Sequence, residues 1–524
     1  MELLEQLNEA QRRAVEIVDG PVLVLAGPGS GKTRVLTHRV AYLVDALRID
    51  PYQIMAVTFT NKAAREMRGR LEQLLGQGLR RLTIGTFHAI GARILRQEAA
   101  RLAYGPNFVI FDEGDQLSLV RESLKALNMD EKAYSPQALR AGISRLKGQL
   151  LEPEQHQPGS YFEEVVGRVY SRYQELLRAN NALDFDDLLM QTALLLRRDP
   201  DVRARYADRY RHVLVDEFQD TNTAQYELLR HWTSQHRNLF VVGDEDQSIY
   251  RFRGADYRNI KRFRKEFPDA QVVLLEHNYR STQTILDAAN AVIAHNVSRT
   301  PKRLRTDRGA GPAIRVFEAY NEQEEGAYVV QEIAKLQAAG LAQPGDCAVM
   351  YRTNAQSRPI EDAFVRASMP YRLVGATRFY ARREVKDLLA YMRLVHNPAD
   401  EVSLARVINV PPRGVGAKTM ADLDAWAASL GVGQAEALRT LWRLEEGDPL
   451  PGVTPPPFAS RATKALLGFA GFLQEALAER DTLPPLALLD LVLARSGYGD
   501  ALRDGSPEAE ERWANVQELR SVAA

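Results

Sequence analysis

The sequence predicts an α/β fold in which parallel sheets, with helices on both faces, alternate with mostly helical insertions. Short apolar segments of strand length alternate with segments of helical periodicity over much of the chain. One long stretch of helical periodicity interrupts the first set of strands, and another follows the second set. The 524 residues are therefore organised as α/β, helical insertion, α/β, helical insertion.

Six short apolar segments are the predicted strands of the first α/β domain. They cover residues 22–26, 54–59, 82–85, 212–216, 239–243 and 272–276. The third and fourth segments are too far apart for a simple crossover, so residues 106–190 are predicted to form an inserted helical domain. The first α/β domain then comprises residues 1–105 and 191–276.

A second α/β domain is predicted over residues 277–378. Its candidate strands cover residues 313–317, 347–351 and 371–375. Helical periodicity then dominates residues 379–524, beginning with an apolar helix face that ends at Asn397-Pro398. This last segment is predicted to be the second helical insertion.

Composition excludes several classes of protein. Apolar runs stay well short of a membrane span, and the first residues lack the pattern of a signal peptide. The single cysteine, Cys347, excludes an internal disulfide and favours a reducing compartment such as the cytoplasm. The nine histidines show no spacing typical of metal ligands.

Charge is balanced overall but uneven locally. The formal net charge is zero, so no global field attracts nucleic acid. Residues 251–265 nevertheless carry seven cations and one acid, and residues 299–308 carry five cations and one acid. Such runs are either solvated faces or contacts with nucleic acid.

A glycine-rich segment between a predicted strand and a predicted helix indicates a phosphate-binding loop. It reads Ala26-Gly27-Pro28-Gly29-Ser30-Gly31-Lys32-Thr33, with alanine in place of the first glycine of the usual pattern. Glycines let main-chain N–H groups converge on phosphates at a helix N-terminus. Lys32 can reach the β- and γ-phosphates, and the Thr33 hydroxyl can bind Mg²⁺. The alternative is a glycine-rich turn without a ligand.

Two adjacent carboxylates follow a later buried strand. In His212-Val213-Leu214-Val215-Asp216-Glu217, neighbouring side chains point in different directions at the strand end. Asp216 is therefore the candidate Mg²⁺ ligand, and Glu217 is the candidate general base for an attacking water. The alternative is a solvated acidic loop.

The segment after the next strand combines a candidate phosphate sensor with aromatic side chains. Gln247 can orient water and sense the γ-phosphate. Tyr250, Phe252 and Arg253 have the composition of a stacking platform for single-stranded nucleic acid. The alternative for the two rings is a buried aromatic pair.

Five further motifs appear in order along the chain. They are Leu7-Asn8-Glu9-Ala10-Gln11, Ala56-Val57-Thr58-Phe59-Thr60-Asn61-Lys62-Ala63-Ala64, Thr83-Ile84-Gly85-Thr86-Phe87-His88, Glu276-His277-Asn278-Tyr279-Arg280-Ser281-Thr282 and Val349-Met350-Tyr351-Arg352-Thr353-Asn354-Ala355-Gln356-Ser357-Arg358. With the segments above, they resemble the UvrD/PcrA/Rep group of superfamily-one DNA helicases over the whole chain. The resemblance implies two RecA-like motor domains, the second incomplete here, each with a mostly helical inserted domain.

The resemblance also implies roles for single residues. Gln11 is expected to read adenine, Tyr279 to stack on it, Arg280 to reach the γ-phosphate, and the segment from Ala26 to Arg34 to hold the nucleotide. In the first motor domain, the expected single-strand contacts are Thr58, Phe59, Asn61, Lys62, Thr86, Phe87 and His88. In the second, they are Arg352, Asn354 and Arg358.

The chain departs from the family pattern in two places. Phe252 stands where the family commonly has tryptophan, and the smaller ring is expected to stack more weakly. The chain also ends before the last two family motifs, one of which supplies a second γ-phosphate arginine. We therefore expect it to be the N-terminal piece of a longer protein, with an unfinished second sheet.

A glycine turn in the second helical insertion is a candidate contact for duplex phosphate. Arg413, Gly414 and Gly416 precede a helix predicted to begin near Ala417. Main-chain N–H groups in such a turn can bind phosphate without reading bases. The resemblance implies contact with duplex ahead of the fork, and the alternative is a structural turn between helices.

The function implied is that of an ATP- and Mg²⁺-dependent helicase moving 3′-to-5′ on single-stranded DNA, in repair or replication. Its expected partners are single strands, duplex–single-strand junctions and possible repair or replication proteins, with the protein acting as a monomer or dimer, on the nucleoid if bacterial. Two alternatives stay open: a translocase that strips proteins from DNA, and an ATP-gated DNA-binding fragment without unwinding activity.

Overall fold

The computed structural model describes residues 2–76, 79–250, 254–256, 258–296, 299–353, 356–374, 382–448, 450, 452–503 and 509–524. The predicted site residues Phe252, Arg253 and Asn354 lie outside this part of the chain. The chain divides into two compact units. Unit 1 comprises Met1–Gly311 and Ala390–Leu483, and unit 2 comprises Pro312–Leu389 and Pro484–Ala524. The domain boundaries given above stay predictions.

In the described residues of unit 1, eight strands form two parallel sheets. They are β1 Val22–Ala26, β2 Ile54–Thr58, β3 Thr83–Thr86, β4 Val109–Phe111, β5 Ala182–Asp184, β6 His212–Val215, β7 Leu239–Gly243 and β8 Gln271–Leu275. The large sheet has the order β3-β2-β6-β7-β1-β8, and β4 pairs with β5. All six strands predicted for the first α/β domain are confirmed to within one residue at each end. The short β4 and β5 were not predicted.

The helices include short and long elements throughout the described chain. They are α1 Glu2–Glu5, α2 Glu9–Glu16, α3 Lys32–Ala41, α4 Asn61–Leu75, α5 Phe87–Gln97, α6 Glu113–Ala126, α7 Pro136–Gly148, α8 Tyr161–Ala179, α9 Phe185–Arg198, α10 Pro200–Arg209, α11 Thr223–Trp232, α12 Arg258–Glu266, α13 Gln283–Ile293, α14 Glu322–Ala338, α15 Ser357–Arg366, α16 Arg383–His396, α17 Glu401–Val407, α18 Ala417–Leu430, α19 Gln434–Glu445, α20 Ser460–Glu479, α21 Pro485–Arg495, α22 Tyr498–Leu502 and α23 Ala509–Ala523. Among the described residues, none of these helices combines the length and apolarity needed to cross a bilayer.

The large sheet is covered on both faces, which explains why its central strands are apolar throughout. All residues of β1 are buried. Leu23 and Leu25 belong to one core, whereas Val22, Val24 and Ala26 belong to the other. Successive side chains of a strand alternate between faces, so a strand covered on both faces needs apolar residues at every position.

Strands β4 and β5 pair at the two ends of residues 112–181, within the predicted helical insertion. Val109 pairs with Ala182, and Phe111 pairs with Asp184. Above this pair, the fully buried Lys147 ammonium lies 2.7 Å from Asp184 Oδ2 and 2.8 Å from Asp187 Oδ2. Buried charges are tolerated when they are paired and hydrogen-bonded. The cluster therefore fixes α7 against the start of α9.

The three strands predicted for the second α/β domain are wrong within the described residues. Residues 313–317, 347–351 and 371–374 form no strand, and residue 375, the last of the third predicted strand, lies outside the described residues. Val316 is 94% exposed and Met350 is 91% exposed, so these apolar side chains do not line a core. A strand exists only through pairing with a neighbour, and apolar alternation alone does not provide one.

Unit 2 is held by helix packing. Helix α14 packs against α15, with Val330, Ile333 and Phe364 as the buried core. Gly326 permits the close approach, since a Cβ there would lie 2.9 Å from the carbonyl oxygen of Pro359.

Candidate active site

The candidate nucleotide residues meet at one edge of the large sheet in unit 1. The phosphate loop follows β1, the two carboxylates follow β6, Gln247 follows β7, and Tyr279 follows β8. Since all these strands are parallel, their carboxyl ends share one edge, which is where α/β sheets bind ligands. A cavity of about 430 Å³ at this edge is lined by Pro28, Gly29, Gly31, Lys32, Thr33, Arg34, Arg70, Glu217, Gln247, Tyr279 and Arg280.

The phosphate loop has the backbone that its glycines permit. Gly29 and Gly31 have φ values of 68° and 86°, in the left-handed region that favours glycine. A Cβ on Gly29 would also lie 2.6 Å from the Asn278 side chain. Gly31 lies at the N-cap of α3 and has no side chain to cap the first N–H groups. These groups can therefore serve an anion.

Asn8 and Gln11 form a capping box at the start of α2. The Asn8 side chain accepts from the Gln11 N–H at 2.8 Å, and the Gln11 side chain accepts from the Asn8 N–H at 3.2 Å. The Gln11 amide also donates to the Ser30 carbonyl at 2.9 Å, and the Asn8 amide donates to the Tyr279 hydroxyl at 2.8 Å. The two predicted adenine-binding residues, Gln11 and Tyr279, therefore lie at the same end of the phosphate loop.

The predicted catalytic side chains face one another across the cavity. Lys32 Nζ lies 3.0 Å from Glu217 Oε2, and the Thr33 hydroxyl lies 3.4 Å from Asp216 Oδ2. Glu217 has a left-handed backbone with φ of 50°, which is uncommon outside glycine and costs about 1–2 kcal/mol. Burial and the neighbouring Glu217 raise the pKa of Asp216 to about 6.

These residues fit a nucleotide with Mg²⁺. Thr33 and Asp216 present two hard oxygen atoms side by side. Mg²⁺ prefers oxygen ligands and keeps several waters, so two protein oxygens plus phosphate oxygens satisfy it. The glycine cradle beside them has no room for Cβ atoms. The donor set and the shape both suit a triphosphate with its metal ion.

Asn278 connects the Arg280 segment to the phosphate loop. Its buried side chain donates to the Pro28 carbonyl at 2.6 Å and accepts the N–H groups of Arg280 at 2.8 Å and Ser281 at 2.7 Å. The sequence motif contained Asn278 without giving it a role. Arg70, which lines the cavity from α4, was also missed, because only the tertiary fold brings it there.

The second basic run includes residues that form internal ion pairs. Lys302 pairs with Asp244 and lies 2.8 Å from Asp246, and both Arg299–Asp246 contacts measure 2.9 Å. Asp244 in turn accepts from the Gln247 amide at 2.6 Å. Arg299 and Lys302 thus stabilise the segment that carries Gln247, which accounts for part of this charge without nucleic acid.

Phe59 and Tyr250 form a stacked pair at the same sheet edge. Their ring centroids are 5.6 Å apart with an interplanar angle of 24°. Asn61 and Lys62 are exposed in the first turn of α4, close in sequence to Phe59. This group supplies aromatic faces and a cation, as single-strand binding requires.

Among the other predicted single-strand contacts, Thr58, Thr86 and Phe87 are buried and His88 is half-buried. The Phe87 ring is 3% exposed and stacks on Trp232 in the core at 6.2 Å, so it is not available to a base. Thr86 caps α5, and the Thr58 hydroxyl donates to the Thr60 carbonyl. His88 packs edge-on against Phe185, and burial lowers its pKa to about 4. Side-chain contacts from Phe87 are a prediction that this structure corrects.

The predicted contacts in the rest of the chain differ in accessibility. Arg352 and Arg358 are exposed in unit 2. In unit 1, the Arg413 guanidinium donates to the carbonyls of Val407, Ile408 and Pro411 and to the Tyr391 hydroxyl. Arg413 therefore caps the end of α17, and its expected contact with duplex phosphate stays a prediction. Gly414 has φ of 83°, and Gly416 is the N-cap of α18.

Comparison with known proteins gives a single family. Residues 7–268 match the UvrD/REP helicase N-terminal domain, and residues 273–439 match the UvrD-like helicase C-terminal domain. The chain therefore belongs to the UvrD/Rep helicases, with both family domains present. The prediction of an ATP-hydrolysing DNA helicase is confirmed at the level of this family.

Three relatives are similar over nearly the whole chain. The ATP-dependent DNA helicase PcrA of Bacillus subtilis is 44% identical in an alignment that covers 99% of this chain and 69% of the relative. The proteins of the same name from Staphylococcus epidermidis and Staphylococcus aureus are 42% and 43% identical, again over 99% of this chain and 70% of theirs.

Proposed function

We propose that this protein is an ATP-driven DNA helicase that moves 3′-to-5′ on single-stranded DNA and unwinds duplex during repair or replication. The observation that carries the proposal is the shared sheet edge in unit 1. It brings the nucleotide cavity and the Phe59–Tyr250 pair onto loops of one rigid sheet. Family membership and the names of the relatives support the same function. Its site of action is the cytoplasm, on the nucleoid in a bacterium.

Phosphate binding is the work of the loop after β1 and of two cations. Lys32 and Arg280 line the cavity and neutralise phosphate charge, while the glycine loop offers main-chain N–H groups. Gln11 and Tyr279 bind the adenine end. Thr33 and Asp216 would hold Mg²⁺, which would supply positive charge against the charge that develops on the phosphate.

Glu217 is the general base in this proposal. Its carboxylate is paired with Lys32 at 3.0 Å, and phosphate competes with Glu217 for the Lys32 ammonium. The released carboxylate can then accept, at one of its Oε atoms, a proton from the water that attacks the γ-phosphorus. The bond from the γ-phosphorus to the β,γ-bridging oxygen breaks, and ADP leaves with that oxygen. Gln247, on the cavity wall, orients that water.

DNA binding in this proposal uses the accessible candidates. In unit 1 these are the exposed Asn61 and Lys62 with the half-buried rings of Phe59 and Tyr250, and in unit 2 they are the exposed Arg352 and Arg358. The turn at Gly414 and Gly416 offers main-chain N–H groups to duplex phosphate at a junction.

The test is ATP hydrolysis with and without single-stranded DNA, followed by unwinding of duplexes with a 3′ or a 5′ tail. We expect DNA to stimulate hydrolysis and the 3′-tailed duplex to be unwound. Unwinding of the 5′-tailed substrate alone would refute the direction. Stimulated hydrolysis without unwinding favours the protein-stripping translocase, and nucleotide-dependent DNA binding without turnover favours the ATP-gated binding protein.

A further inference from the structure

Gln219 lies between the candidate general base and the segment after β7. It belongs to the short 3₁₀ helix Phe218–Asp220 and is 1% exposed. Its amide nitrogen donates to Glu217 Oε2 at 2.8 Å, while its amide oxygen accepts the Asp244 N–H at 2.9 Å. One side chain therefore contacts the base and the neighbouring loop at the same time.

Gly243 and Asp244 restrict the position of the Gln219 side chain. A Cβ on Gly243 would lie 2.8 Å from the Gln219 amide oxygen and 3.3 Å from its main-chain nitrogen. Asp244, whose N–H is bound by Gln219, is fully buried and holds both Lys302 and the Gln247 amide. Moving the Gln219 side chain would break its hydrogen bonds to Glu217 and to the Asp244 N–H, which is costly for a buried amide.

The contact with Glu217 decides where the base points. Glu217 Oε2 accepts only two hydrogen bonds that the structure identifies in the described chain, from Lys32 and from Gln219. In the proposed mechanism, phosphate takes Lys32 away. Gln219 is then the donor that keeps the carboxylate in one orientation toward the attacking water.

We propose that Gln219 is a positioning residue for hydrolysis, which orients Glu217 and ties that orientation to the segment carrying Gln247 and Tyr250. This inference rests on the proposed function, because it takes Glu217 as the base. When the segment after β7 shifts, the Asp244 N–H shifts with it, and Gln219 transmits the change to Glu217. The Gln219 amide thereby links the binding of single-stranded DNA at Tyr250 to the orientation of the Glu217 carboxylate.

The experiment compares Gln219→Ala, Gln219→Glu and Gln225→Ala in the full chain. Gln219→Glu keeps an acceptor for the Asp244 N–H but removes the donor to Glu217. Gln225 is a matched control, since it is 3% exposed but serves a capping box with Asn222 at the start of α11. We expect both Gln219 variants to lower DNA-stimulated kcat by about 10- to 100-fold, with ATP affinity within about twofold of wild type. Gln225→Ala should leave kcat within about twofold.

A double-mutant cycle with Glu217→Gln separates positioning from a general structural effect. If Gln219 acts through Glu217, Gln219→Ala should change the residual single-turnover rate of Glu217→Gln by less than about twofold. Additive losses, or an unchanged kcat in Gln219→Glu, would overturn the inference. Should Gln219→Ala fail to fold, the near-isosteric Gln219→Glu decides alone. Wild-type turnover by Glu217→Gln would instead refute the proposed base, which is a distinguishable failure.

Discussion

The carboxyl edge of the large sheet has two regions that hold their candidate side chains differently. The nucleotide end consists of the loops after β1 and β8, and the DNA-binding end consists of the segments after β2 and β3. At the nucleotide end, the loops after β1 and β8 are joined by side-chain hydrogen bonds from Asn8, Gln11 and Asn278. At the DNA-binding end, the segments after β2 and β3 bury Phe87 and expose Asn61 and Lys62. Phosphate chemistry needs fixed donors. Binding any base sequence needs only accessible aromatic faces and cations.

The largest expected effect tests whether the nucleotide end is built for catalysis. Glu217→Gln should lower kcat for ATP hydrolysis by about 10²–10⁴-fold, because the amide cannot accept the proton of the attacking water. ATP binding should persist, as measured with a fluorescent nucleotide. Glu16→Gln, an exposed residue paired with Arg12, is the matched control. Near-normal turnover would remove Glu217 from the mechanism.

Asn278→Ala tests whether the side-chain hydrogen bonds hold the nucleotide end together. The variant loses three hydrogen bonds and leaves the half-buried Pro28 carbonyl without this donor. We expect weaker ATP binding by about 1–3 kcal/mol, measured by calorimetric titration. The control is Asn259→Ala, equally buried but bonded to the Thr221 carbonyl. Equal affinity losses in both variants would mean that only overall stability changed.

Variants of the Phe59–Tyr250 pair test the DNA-binding end. Tyr250→Ala and Phe59→Ala should each weaken single-strand binding by about 1–2 kcal/mol with little sequence preference, as measured by fluorescence anisotropy. Because the rings stack on each other, the double variant should lose less than the sum. Phe87→Ala, a core ring, should lower the melting temperature instead. Unaltered DNA affinity in both single variants would contradict the stacking platform.

The smallest expected effect concerns the sheet that joins the two ends. Burial lowers the pKa of His212, the first residue of β6, to about 4 from an ordinary value of 6.5. Between these values the unfolded chain binds more protons, so stability is present above pH 6.5 and is lost as the pH falls. The free energy of unfolding should fall between pH 7.5 and pH 5.5 by about 1 kcal/mol less in His212→Gln than in the wild type. Urea unfolding of both proteins at the two pH values measures this difference. An identical pH dependence in both proteins would exclude His212 as its source.

The sequence predicts the placement of candidate residues that are adjacent in the chain. Lys32 and Thr33 begin α3 after the loop that follows β1, and Asp216 and Glu217 directly follow β6; the apolar runs of both strands are unambiguous. The partners of these residues could not be read from the sequence. Gln219 and Asn278 act through contacts that only the packed loops create.

Charge and apolar patterns were less informative, because each has two structural explanations. Lys302 belongs to a basic run that was a candidate for nucleic-acid contact by composition, yet its ammonium is paired with carboxylates inside the protein. The predicted strand at residues 313–317 has the right residues without a pairing partner. The partner of a cation or of a strand is a long-range property, which composition and periodicity do not specify.

The pairing of β4 with β5 has a consequence for how this protein can vary. Residues 112–181 leave and rejoin the rest of unit 1 at two neighbouring strands, so their departure and return points are fixed side by side. Lengthening or shortening a helix between those points leaves the register of the large sheet unchanged. The helices within residues 112–181 can therefore differ in number and length while the carboxyl edge of the large sheet keeps its geometry.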